Sequence, residues 1–116
     1  MKFVVAEHLE DGTRLSDNEI FHLSNKIGGN YDTLALLAGK SDKSDIVRAD
    51  NANYSGPVEK ARRILRYIND DETFSRQQLA NHLRKMDLGK FAVPLLRGAF
   101  QNPDSEDTTD GPISLQ

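Results

Sequence analysis

Ser16-Asp17-Asn18-Glu19-Ile20-Phe21-His22-Leu23-Ser24-Asn25-Lys26-Ile27-Gly28-Gly29-Asn30-Tyr31-Asp32-Thr33-Leu34-Ala35 reads as helix, stop, helix. Ser16 and Glu19 form a capping box: the hydroxyl accepts from the backbone N–H of Glu19, and the Glu19 carboxylate reaches back to the N–H of Ser16. Ile20, Leu23 and Ile27 then share one face at helical spacing. Gly28-Gly29 stops the helix, because glycine accepts the left-handed conformation of a helix end. Asn30 is placed to cap a second helix, with Tyr31, Leu34, Ala35 and Ala38 as its apolar stripe.

The same punctuation recurs downstream. Gly39 ends the second helix, and Ser41 is placed to cap a short third one around Ile46 and Val47. Residues 50–55 form a polar loop. Gly56-Pro57 opens a fourth helix, with proline in the first turn where its missing N–H costs nothing. There Ala61, Ile64, Leu65 and Ile68 give the cleanest stripe in the chain. Asn69-Asp70-Asp71-Glu72 breaks the pattern. Ser75-Arg76-Gln77-Gln78 is a second capping box, before Leu79, Leu83 and Met86. The last helix carries Ala92, Leu95, Leu96 and Ala99. Pro94 inside it would remove a backbone hydrogen bond at a cost of about 3 kcal/mol. So that helix either starts late, near Lys90–Phe91, or bends. Period-2 alternation is almost absent after residue 15. The pattern predicts an all-α fold, a six-helix antiparallel bundle.

Upstream and downstream of this region the character changes. Residues 1–14 read as an N-terminal arm, in which Phe3, Val4 and Val5 fit a short strand, an ordered arm or the remnant of another domain. Asp11-Gly12 closes that arm as a turn. Residues 101–116 hold Asp104, Glu106, Asp107 and Asp110, no basic residue and two prolines. With little to bury, that tail is expected to be disordered. The domain proper is thus expected over residues 15–100.

At 116 residues and 13.0 kDa the chain has the size of one domain. There is no cysteine, which excludes disulfides, thiolate metal sites and a cysteine nucleophile. Neither a bilayer-length apolar run nor a secretory leader is visible, and a cytoplasmic location is expected. The net charge of −3 hides an asymmetry, for residues 15–100 carry 13 basic and 11 acidic side chains and the acidity sits in the tail. A generic nucleic-acid binder carries a larger basic excess.

Little of the chain reads as chemistry. His8, His22 and His82 lie in three separate segments without metal-ligand spacing. Gly39-Lys40-Ser41 is the end of a phosphate-binding loop without its beginning. No calcium-loop pattern is present, and no nucleophile–base pair survives inspection. No catalytic residue, metal or cofactor is therefore expected, and the chain is expected not to be an enzyme.

Lys60, Arg62, Arg63 and Arg66 form the densest basic cluster. Helix geometry puts the arginines on the side away from Ala61, Leu65 and Ile68. An ordinary solvated face, a nucleic-acid patch and half of a charged protein interface all fit. Mutual repulsion within the cluster favours an acidic partner, and Asp32, Asp42 and Asp45 on the second and third helices supply such a surface. One copy could then meet another head to tail.

The order of these residues resembles a death domain. Ile20–Ala35 is similar to that family's first two helices. Gly39–Ile46 resembles the start of its third helix, Pro57–Ile68 its proline-opened fourth, Ser75–Leu83 its fifth, and Met86–Leu96 its closing helix. The likeness spans residues 15–100 in order, with Tyr31 and Ile68 where the family usually has tryptophan. A caspase-recruitment or death-effector domain is the nearest alternative within the superfamily. The resemblance implies a non-enzymatic adaptor for cell-death or innate-immune signalling that assembles with other death-fold domains, self-association included. It also implies asymmetric contacts: Lys60, Arg62, Arg63 and Arg66 against Asp32, Asp42 and Asp45, and Asp70, Asp71 and Glu72 against Arg84, Lys85 and Lys90. The alternative of a different class is a helix-turn-helix DNA-binding domain built on the second and third helices.

Overall fold

The computed structural model describes residues 9–101, which contain helices and turns and no strand. In chain order the helices are α1 Asp17–Ile27, α2 Tyr31–Leu37, α3 Ser41–Ala49, α4 Pro57–Asp70, α5 Arg76–Lys85 and a six-residue α6, Ala92–Arg97. Short 3-10 turns, Gly28–Asn30 and Gly89–Phe91, precede α2 and α6. Five of the helices are seven residues or longer and α6 is a six-residue closing segment, so the expected all-α class is found, while the expected six-helix bundle is met only by five helices and that short segment.

The start of α1 forms as its sequence dictates. The Glu19 N–H donates to Ser16 Oγ at 3.2 Å, and the Ser16 N–H donates to Glu19 Oε1 at 2.9 Å. Gly28 follows at φ 47°, the left-handed region that a side chain resists. Ser75 caps α5 by accepting from the Gln78 N–H at 3.1 Å, but only this half of the expected box forms: the Gln78 side chain makes no return bond to Ser75, whose Oγ donates to Asp11 instead. Two expected caps are absent. The Asn30 side chain makes no capping bond, because a 3-10 turn leads directly into α2 and leaves no orphan donor there for it. Ser41 is the first residue of α3 rather than its cap, and Lys40 holds the cap position without a side-chain bond. Pro94 resolves as the late start: α6 begins at Ala92, which puts the proline in the first turn, where its missing donor is harmless.

One core holds the helices together. Leu34, Ile64, Leu65, Leu79, Leu83 and Leu95 are all fully buried, with Ile20, Leu23, Ile27, Val47 and Ala61 among them. Burying a leucine or isoleucine side chain is worth about 1.5–3 kcal/mol, so these stripes supply the main drive to fold. Val47 is inside, whereas its neighbour Ile46 stays 55% exposed.

A charged pair sits in the same interior. Arg76 and Glu19 are both 0% exposed and joined twice, Nη1 to Oε2 at 2.6 Å and Nη2 to Oε1 at 2.7 Å. The remaining guanidinium donors are also used. Nε donates to the Thr13 carbonyl at 2.9 Å, Nη1 to that of Leu95 at 2.9 Å and Nη2 to that of Arg14 at 3.0 Å. A buried ion pair persists only when its other hydrogen-bonding capacity is satisfied in this way. Arg76 thereby ties α5 to α1, to α6 and to residues 13–14.

Residues 9–14 are packed onto the helices. The Asp11 carboxylate accepts from Ser75 Oγ at 2.6 Å and from the Gln77 N–H at 2.7 Å, which covers the N-terminus of α5. These bonds hold the Asp11 pKa below its ordinary value, the Ser75 contribution being the larger. The Leu9 N–H donates to the Leu96 carbonyl at 2.8 Å. Arg14 donates to the carbonyls of Asn69 and Asp71 at the end of α4. The expected features at Phe3, Val4, Val5 and His8, and the acidic tail beyond Gln101, lie outside the described residues.

Candidate protein interface

The α4 stripe that fills the core fixes what the opposite face presents. With Ala61, Ile64, Leu65 and Ile68 turned inward, Arg62, Arg63 and Arg66 emerge half-buried on one side. Two of these guanidinium groups rest on aromatic rings. Arg62 Cζ lies 5.4 Å from the Phe21 ring centre and Arg63 Cζ 4.6 Å from that of Tyr67. Lys43 Nζ sits 5.2 Å from the same Tyr67 ring. Stacking of this kind is worth about 0.5–1 kcal/mol at exposed sites and holds the planar group in one orientation. The Nε of Arg62 and of Arg63 is covered and makes no hydrogen bond.

Among the described residues neither Arg62 nor Arg63 forms an ion pair, while Arg66 reaches Asp17 Oδ1 at 3.6 Å. With Asn53, Tyr54 and Glu59 the three arginines line an open groove. Glu59 is held at its edge by Ser55, whose N–H and Oγ each donate to Oε1 at 2.9 Å; these bonds, the hydroxyl's first, lower the Glu59 pKa. The fourth basic residue points elsewhere: Lys60 Nζ donates to the Arg48 carbonyl at 3.1 Å and to Asn51 Oδ1 at 2.8 Å, tying α4 to the end of α3.

On the acidic side, Asp32 and Asp45 are brought together by a residue that the sequence pattern did not single out. Arg48 lies 2.6 Å from Asp32 Oδ1 and 2.9 Å from Asp45 Oδ1. Ser44 Oγ also donates to Asp32. Burial works against ionising Asp32, but the bonds from Ser44 and Arg48 outweigh it and lower its pKa. Asp42 is exposed in the first turn of α3. Leu36 and Ile46 stand exposed on these helices, at 67% and 55%. Leu36 borders the hollow lined by Asp32, Ser41, Ser44, Asp45 and Arg48. The face is therefore acidic with apolar side chains and carries one internal arginine. Arg48 is four residues from Ser44 and three from Asp45 on α3, a spacing that signals the pairing.

The remaining residues fall into two groups. Asp71 is committed within the chain, for its carboxylate accepts from Lys40 Nζ at 2.6 Å, from the Thr73 N–H at 2.8 Å and from Thr73 Oγ1 at 2.7 Å. These contacts, Lys40 first, hold its pKa well below the carboxylate range. Asp70 and Glu72 are exposed beside it. Arg84, Lys85 and Lys90 are exposed around the end of α5, with Arg84 Nη1 donating to Asn81 Oδ1 at 3.0 Å. Lys90 Nζ lies 5.3 Å from the Phe91 ring. His82 is half-buried, and burial, with Lys85 nearby, lowers its pKa.

Among the described residues no three His, Asp or Glu side chains converge as metal ligands, and no helix is long and apolar enough to cross a membrane. No family model, curated protein or solved structure matches the chain.

Proposed function

We propose that the chain is a non-enzymatic protein-interaction module of the death-fold type, a six-helix antiparallel bundle that assembles with other death-fold domains or with itself. On this reading it serves as a cytoplasmic adaptor in cell-death or innate-immune signal transduction. The observation that carries the reading is the α4 face: Arg62 and Arg63 are held on Phe21 and Tyr67, and among the described residues neither forms an ion pair, Glu59 in the same groove acting on Arg62 through its charge alone. An oriented, unpaired guanidinium suits bidentate pairing with a carboxylate from outside, and arginine and aromatic side chains are the residues that most often dominate protein interfaces. The ordered resemblance over residues 15–100 supplies the class of partner. The α2–α3 face, with Asp42, Asp45, Leu36 and Ile46 exposed, offers the complementary surface on a second copy.

A helix-turn-helix reading would lay α3 against DNA. Asp42 and Asp45 on that helix would repel phosphate, and α3 carries no unpaired arginine, since Arg48 is engaged with Asp32 and Asp45. The test compares light scattering of the full chain across salt with a gel shift on arbitrary duplex DNA. Association of copies that weakens as salt rises, with no shifted duplex, is the expected result. A salt-sensitive duplex complex from a chain that stays monomeric would replace the protein-interaction reading.

A further inference from the structure

The groove between α4 and the loop before it holds three cations, two of them already aimed. Arg62, Arg63 and Arg66 line it with Asn53, Tyr54 and Glu59, around an open hollow of about 240 Å³. Arg62 lies on the Phe21 ring at 5.4 Å and Arg63 on the Tyr67 ring at 4.6 Å. The Nε of each is covered and has no hydrogen-bond partner, so a ligand in the groove meets the terminal Nη atoms. Arg66 stands one helical turn from Arg62, about 6 Å along the axis. Its contact with Asp17 is long, 3.6 Å, and that carboxylate is 92% exposed.

Charge and geometry together select the anion. The three guanidinium groups and Glu59 leave the groove at +2. Glu59 stays ionised, because the bonds from Ser55 hold its pKa down. A carboxylate brings one negative charge and two oxygens, enough for one arginine fork. A phosphate ester brings a charge of about −1.5 to −2 at pH 7 and three acceptor oxygens. It matches both the charge of the groove and the number of its forks. The groove is also open along its length, which suits an ester better than a free ion. Asn53 and Tyr54 continue its wall past the arginines, and Asn53 is fixed there by Nδ2 bonds to the two Asp50 carboxylate oxygens, at 3.2 and 3.0 Å. A chain that carries the phosphate can lie along this wall. A nucleic acid fits less well, since it needs a string of phosphate contacts and Asp17 and Glu59 flank the cluster.

We propose that the α4 groove binds a phosphorylated side chain of a partner protein, with Arg62, Arg63 and Arg66 on the phosphate oxygens. This rests on reading the α4 face as a docking site and names the anion that the face prefers. Phosphorylation of the partner then acts as the switch for docking. The other basic patches are built differently. Lys26 and Lys90 both lie over Phe91, at 5.5 and 5.3 Å, beside Phe100, but they present point charges rather than planar forks. Arg84, at the end of α5, donates to Asn81 Oδ1.

The probe is the peptide acetyl-Gly-Gly-phosphoserine-Gly-Gly amide, titrated into the isotope-enriched full chain while amide and arginine side-chain signals are followed. The same peptide with Glu in place of phosphoserine, inorganic phosphate and a short DNA duplex are titrated in parallel. The phosphopeptide should move the signals of residues 53–66. It should bind at least about tenfold more tightly than the Glu peptide, because a phosphate engages more than one fork. It should also bind more tightly than inorganic phosphate. Arg63→Lys keeps the charge and removes the fork, and should lose most of that tenfold advantage. Lys90→Gln should leave the affinity unchanged. Signal changes centred on residues 26 and 90–91, or equal affinity for the phosphopeptide and the Glu peptide, would overturn the proposal. So would equal affinity for inorganic phosphate, which would make the groove a small-anion site. Tighter binding of the duplex at equal phosphate concentration would assign the groove to nucleic acid instead. A chain that self-associates through α4 yet shows no preference for phosphate would sink this inference and leave the docking reading standing.

Discussion

Arg76 and Glu19, 57 residues apart in sequence, meet fully buried as a double-bonded ion pair between α5 and α1. Neither could be there alone. Removing one partner from such a pair leaves an uncompensated charge in the interior and typically costs about 3–5 kcal/mol. Arg76→Ala should lower stability in urea by that amount. Glu19→Gln should also destabilise, although its amide oxygen can still accept from the Ser16 N–H. The two single costs should not add, since each deletes the same interaction. A loss under about 1 kcal/mol for Arg76→Ala would mean that the pair is solvated.

Leu65→Ala should cost about 2–5 kcal/mol, as large-to-small changes at fully buried sites do. The same change at Leu36, which is 67% exposed, should leave stability within about 0.5 kcal/mol. Paired urea titrations check both. Equal losses at the two sites would contradict the assignment of core and surface.

Gly98→Ala tests how residues 9–14 are held. Gly98 sits at φ 75°, and a β-carbon there would come within 2.7 Å of Leu9 Cδ1. Both the left-handed backbone and the contact oppose a side chain, so a loss of about 1 kcal/mol or more is expected. If thermal unfolding is unchanged, Leu9 is not packed against α6.

What was legible in the sequence follows from what is local. The Ser16–Glu19 box, Pro57 at the start of α4 and the inward stripe of Ala61, Ile64, Leu65 and Ile68 depend on neighbours three or four residues away, and the all-α pattern was read from them. The late start of α6 at Pro94 follows from the same steric logic. Asn30 and Ser41 were misread as caps because a 3-10 turn and a one-residue shift change which N–H groups are orphaned. The Arg76–Glu19 pair was hidden because Glu19 already had a local role in the Ser16 capping box and Arg76, in the first turn of α5, reads as an exposed position. Packing alone brings positions 57 apart together. At the interface, the three arginines of α4 were legible as a cluster, but their rest on Phe21 and Tyr67 and the capture of Asp32 and Asp45 by Arg48 are tertiary facts.

Acid should weaken the fold through Asp71. Its contacts with Lys40 and Thr73 depress its pKa in the folded chain below the unfolded carboxylate value of about 3.9. A depressed carboxylate contributes stability that is present above the unfolded pKa and is lost as pH falls through the folded one. Asp11 and Asp32 act in the same direction. Stability should therefore decline progressively below about pH 5. Asp71→Asn should be less stable at neutral pH and show a shallower acid limb. An acid limb as steep as in the parent chain would show that Asp71 does not carry the effect.

The central proposal is that the α4 arginine face binds an acidic face on a second copy of the chain or on a partner domain. Its most direct measurement is sedimentation equilibrium of the Arg63→Glu/Arg66→Glu double variant against the parent, after circular dichroism has shown both to be folded. Exposed single ion pairs are worth only about 0–1 kcal/mol, so a large effect requires a desolvated cluster acting together. The account predicts that the parent associates at low salt, that the double variant does not, and that mixing the variant with a chain bearing Asp42→Arg and Asp45→Arg restores association. Unchanged association of a folded double variant would show that the α4 face is merely solvated and would contradict the claim.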